Sequence, residues 1–154
     1  LSKTEKPSIF AIPEQVTAII KSIKEEYQNS GGGNIVFKPF GRPTDLPIRN
    51  ARDILNGLGY KNRQTLHGFR TCLKTMGEKY LSFKTPAVEE QMTHDLYAGE
   101  KTRGSYDDRH YLEERKIMMQ VYADFIDSLR DGVKPDMGKL IARYSEKSSP
   151  DFEL

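Results

Sequence analysis

Apolar residues recur at helical spacing along most of the chain. Val16, Ile19, Ile20, Ile23 and Tyr27 step by three, one, three and four, which predicts an amphipathic helix over Glu14–Ser30. Pro13 stands at its start, and Gly31-Gly32-Gly33 stops it. Ile48, Ala51, Ile54, Leu55 and Leu58 predict a second helix over Ile48–Leu58, ended by Gly57 and Gly59. Leu66, Phe69, Leu73 and Met76 anchor a third, capped by Thr65 and running to about Lys79. A short helix from Pro86 to Leu96 turns Val88 and Met92 inward. The longest, Asp108–Leu129, carries a broad stripe of Tyr111, Leu112, Arg115, Met118, Met119, Tyr122, Phe125, Ile126 and Leu129, which reads as core. Asp131-Gly132 ends it, and a short helix over Met137–Tyr144 precedes a polar, mobile tail over Ser145–Leu154.

Two stretches break this period. Ile9, Phe10 and Ile12 are strand formers behind Pro7, so Lys3–Ile12 is expected to be extended. Asn34–Phe40 is a short apolar strand or extended link, and Phe40–Pro47, with Gly41 and Pro43, is a loop. The expected fold is mainly α with a small β-hairpin or sheet at the N-terminal end, an α+β class.

The 154 residues suffice for one domain with a core. With 36% hydrophobic and 30% charged residues, the composition is that of an ordinary soluble protein, and no apolar run approaches the roughly 20 residues of a membrane span. The one cysteine, Cys72, excludes an internal disulfide and fits a reducing cytoplasm; it reads as a small core residue. No Cys/His spacing suits a metal and no Gly-rich loop suits a phosphate, so neither metal nor cofactor is expected. The net charge of +2 says little, but its distribution says more. From Lys61 to Lys84 there are six basic residues (Lys61, Arg63, Arg70, Lys74, Lys79, Lys84) against Glu78 alone, a local +5. Such a patch suits a phosphate backbone, and equally a solvated helix face beside acidic neighbours.

Candidate chemistry centres on the third helix. His67 and Arg70 are three apart and share one helix face. Arg70 offers a planar fork of donors matched to a phosphate, and His67 a proton donor or acceptor near neutral pH. As an isolated pair they also describe a plain helix surface. Downstream lie His94, near a predicted helix end, and the run Arg103-Gly104-Ser105-Tyr106 followed by Tyr111-Leu112-Glu113 and Tyr122-Ala123-Asp124.

The order His-x-x-Arg, His, Tyr resembles the catalytic domain of tyrosine recombinases, and the run around Tyr106 resembles the prophage and satellite-phage integrases. The resemblance spans Lys3 to Leu129 and implies site-specific DNA recombination through a 3′-phosphotyrosyl intermediate, without cofactor. It implies Tyr106 as nucleophile, Arg70 and His94 as donors to non-bridging oxygens, and His67 in proton transfer. Lys3, ahead of Pro7 and Pro13, takes the place of the family's hairpin lysine, with Lys6 as its rival. Lys61, Arg63, Lys74 and Arg103 are the expected DNA contacts. Residues 1–130 then form part of an integrase catalytic domain and 131–154 a C-terminal tail. The family's first catalytic arginine lies upstream of the lysine, so this chain is expected to lack it, along with the N-terminal DNA-binding domains, and to be weak or inactive alone. Expected partners are duplex DNA at attachment sites and further copies in a tetrameric synapse, with the tail as one contact. His94 and Tyr106 stand twelve positions apart, a gap longer than the family's, which leaves Tyr97 as a rival nucleophile. Two other readings stay open: a helical DNA-binding or protein-interaction module without catalysis, and a relative of type IB topoisomerases.

Overall fold

The structure, a computed structural model, describes residues 9–29, 47–92 and 111–148. The regular elements are α1 (Glu14–Asn29), α2 (Pro47–Leu55), α3 (Leu66–Tyr80), α4 (Thr85–Gln91), α5 (Leu112–Arg130) and α6 (Met137–Ser148). A wide helical turn over Asn56–Tyr60 extends α2, and Gly59, at φ 87°, reverses the chain there.

The chain divides into two units, residues 14–72 and residues 1–13 with 73–154. The second holds the core: Leu81, Phe83, Ala87, Val88, Met92, Met118, Val121, Phe125 and Tyr144 form one buried cluster. α5 packs against α6 and against α4. Phe83 sits at the centre. After α3 the chain turns through Ser82, at φ 57°, and the Phe83 amide donates back to the Gly77 carbonyl at 2.9 Å. The Phe83 ring then covers Gly77 so closely that a Cβ there would lie 2.6 Å from it. Its other neighbour is Tyr144, edge to face at 4.9 Å between centroids. The Tyr144 hydroxyl donates to Glu114 and accepts the Lys84 amide at 3.1 Å. α6 therefore continues beyond Met137–Tyr144 and docks on its own chain through a buried tyrosine. Asp136 caps α6, accepting the Lys139 amide at 3.0 Å.

The expected β-hairpin or sheet requires correction. Every regular element among the described residues is helical, and Ile9–Pro13 pairs with no strand. Ile9, Phe10 and Ile12 are strand-forming residue types, but strand propensity expresses itself only against a partner. Here the partners are side chains. Arg115 Nη1 donates to the Ile9 carbonyl at 2.8 Å, and the Gln91 amide takes both backbone groups of Ala11. The expected Asn34–Phe40 strand and residues 3–8 lie outside the described residues.

In unit 14–72, no described side chain is fully buried. Val16, Ile19, Ile54, Leu58 and Phe69 each keep 40% or more of their surface in solvent.

Candidate active site on the third helix

α3 begins as its sequence predicts. Thr65 Oγ1 accepts the Gly68 amide at 3.0 Å, closing the first turn. At Gly68 the Gln64 carboxamide lies where a Cβ would stand, 2.1 Å from it. That carboxamide accepts the Thr65 amide at 3.1 Å and reaches Cys72 Sγ at 3.8 Å. Cys72 is half-buried against this polar neighbour rather than a core residue.

On this capped turn His67 is exposed and Arg70 half-buried, three positions apart on one helix face. Leu66 is partly buried. The helix thus presents an imidazole and a guanidinium side by side, the first able to carry a proton and the second able to hold an anionic oxygen through paired N–H groups.

The basic residues around them behave differently. Lys61 and Arg63 are exposed, with the Arg63 guanidinium 6.0 Å from the centre of the Tyr60 ring. Lys74 forms an ion pair with Glu89, a carboxylate that α4 buries to 7% exposure. Its hydrogen bond to that carboxylate raises the Lys74 ammonium above the ordinary lysine range. Part of the +5 patch is therefore neutralised within the fold, which the sequence count could not show. Lys3, His94, Arg103, Tyr106 and the rival Tyr97 lie outside the described residues. No group of three or more His, Cys, Asp or Glu among the described residues is placed to hold a metal ion, and no described helix is long and apolar enough to cross a membrane.

Three buried polar residues were not singled out for a role from sequence: Glu89, Gln91 and Arg115. Arg115 carried a signal, since a guanidinium at a core register of the apolar α5 stripe needs a buried partner. Its partner, the Ile9 carbonyl, is 106 positions away.

The chain is similar to prophage and phage integrases. It is 32% identical over 133 residues to the prophage integrase IntZ of Escherichia coli K12, covering 84% of this chain and 31% of that protein. It is 27% identical over 133 residues to the integrase of enterobacteria phage P4, covering 84% and 29%. Over 74 residues it is 32% identical to the integrase of Shigella phage Sf6, covering 48% and 18%. The chain spans about 30% of the length of the IntZ and phage P4 integrases. No family model matches it, and no solved structure matches it.

Proposed function

We propose that the chain, which is similar to prophage and phage integrases over about a third of their length, is part of the catalytic domain of a tyrosine-type site-specific recombinase. The observation that carries this reading is the capped first turn of α3, which presents His67 and Arg70 together within the stretch of similarity.

In the reaction, the Tyr106 oxygen forms a bond to a backbone phosphorus while the bond from phosphorus to the 5′ oxygen breaks. The product is a 3′-phosphotyrosyl link and a free 5′ hydroxyl, and return attack by a 5′ hydroxyl rejoins a strand. One phosphodiester is exchanged for another, so no energy-rich co-substrate is required. A free tyrosine titrates near about 10 and is a poor nucleophile until cations surround it. His67 takes part in moving the phenolic proton. Arg70 and His94 hold the non-bridging oxygens, whose charge grows in the transition state; losing one such donor costs about 3–4 kcal/mol. Lys3 supplies the proton that the leaving 5′ oxygen takes up. Lys61, Arg63 and Arg103 hold DNA phosphates, and Lys74 contributes less because Glu89 already holds its charge. Duplex DNA and further copies of the chain on it are the partners.

The test is covalent trapping with the full-length protein on a nicked duplex carrying its attachment site. A denaturant-resistant protein–DNA adduct that disappears in Tyr106→Phe and persists in Tyr97→Phe is expected. Loss in Tyr97→Phe alone moves the nucleophile. No adduct on DNA that the protein demonstrably binds favours the non-catalytic helical module.

A further inference from the structure

Two lysines of the basic stretch, Lys74 and Lys84, end on carboxylates that the packed region buries. Glu89 on α4 and Glu114 on α5 expose only 9% and 11% of their side chains. Lys74 Nζ donates to Glu89 Oε1. Lys84 Nζ lies 3.4 Å from Glu114 Oε1, an oxygen that also accepts the Tyr144 hydroxyl. The lysine side chains themselves stay 44% and 51% exposed. In each pair the ammonium reaches in from solvent to a carboxylate fixed inside. That asymmetry decides whether the lysine can serve a second anion. A lysine leaves an exposed carboxylate at little cost, because water solvates what it leaves behind. Leaving a buried carboxylate strands a desolvated charge, which costs far more. Lys61 and Arg63 differ. Both are exposed, and neither forms an ion pair with a described carboxylate.

We propose that Glu89 and Glu114 are internal counter-charges that withhold Lys74 and Lys84 from DNA phosphates and leave Lys61 and Arg63 to bind them. This rests on the recombinase reading above and names which cations of that surface a phosphate reaches. The hydrogen bond to Glu89 that raises the Lys74 ammonium above the ordinary lysine range acts in the same direction, since it favours the charged pair. The consequence is local. Lys74 follows Arg70 by four positions on α3, which puts the two on one helix face. Released, its ammonium would offer a phosphate a second cation one turn from the guanidinium. Held by Glu89, it leaves that phosphate to Arg70.

The experiment measures the affinity of the full-length protein for duplex DNA carrying its attachment site as a function of salt. Each phosphate contact contributes about 0.9 to the slope of log affinity against log salt. Lys74→Gln and Lys84→Gln are expected to keep the wild-type slope and to bind within about twofold of wild type. Lys61→Ala and Arg63→Ala should each lower the slope by about 0.9. Glu89→Gln keeps an acceptor for Lys74 but removes the charge that holds it. It should bind about fivefold or more tighter at about 0.05 M salt, with a slope steeper by about 0.9. Adding Lys74→Gln to it should return both quantities to wild type. Tighter binding of this kind does not come from a misfolded protein, and Lys74→Gln carries the test alone should Glu89→Gln fail to fold. A slope lowered by Lys74→Gln or by Lys84→Gln puts that lysine on a phosphate and overturns the inference. So does a wild-type slope in Glu89→Gln, or in both Lys61→Ala and Arg63→Ala. If the wild-type protein binds no duplex DNA at all, the recombinase reading falls and the inference with it; if it binds and these slopes disagree, the inference alone falls.

Discussion

From Leu73 onward the described chain buries a continuous cluster from Leu81 to Tyr144, whereas between Glu14 and Cys72 no described side chain is fully buried. His67 and Arg70 belong to the second of these regions, Glu89, Gln91 and Arg115 to the first. His67 and Arg70 stand on a turn held by local hydrogen bonds, while Gln91 and Arg115, which hold the backbone of Ala11 and Ile9, are built into the packed region. Lightly packed elements open at low cost and can adjust around a ligand; densely packed ones keep geometry.

Substitutions should rank accordingly. Phe83→Ala removes a 4% exposed ring between Gly77 and Tyr144 and should cost about 3–5 kcal/mol, read by chemical denaturation. Gly77→Ala fills the space that ring occupies and should cost about 1–3 kcal/mol. Thr65→Ala removes the α3 cap and should cost about 1 kcal/mol, with faster amide exchange confined to the first turn around Gly68. Ile19→Thr on α1, where the side chain is 58% exposed, should change stability by no more than about 0.5 kcal/mol. A large effect at Ile19, or a negligible one at Phe83, would erase the distinction between the regions.

The local signals in the chain were legible where a single element decides them. Thr65 caps α3, Asp131-Gly132 ends α5, with Gly132 at φ 69°, and the α5 stripe is core at Met118 and Phe125, whereas its Ile126 and Leu129 are exposed and Val121, outside the stripe, is buried. What misled was non-local. Ile9–Ile12 has strand formers but is held by Gln91 and Arg115, 80 and 106 positions away, and no window of sequence contains both ends of such a bond. α6 runs on to Ser148, past the expected end at Tyr144, whose ring packs on Phe83, 61 positions away. Lys74 counted as one more basic residue until Glu89, fifteen positions on, proved to hold it. The spacing of His67 and Arg70 predicts one shared helix face, and both lie in the first turns of α3.

In the proposed recombinase, Arg70 acts on the reacting phosphate through its paired N–H donors. This is tested most directly by single-turnover adduct formation with Arg70→Lys, which keeps the charge and loses the paired N–H fork. The account predicts a fall of about a hundredfold or more in rate, with DNA affinity and melting temperature close to wild type. A rate that is unchanged, or that falls only in step with affinity or stability, would contradict it.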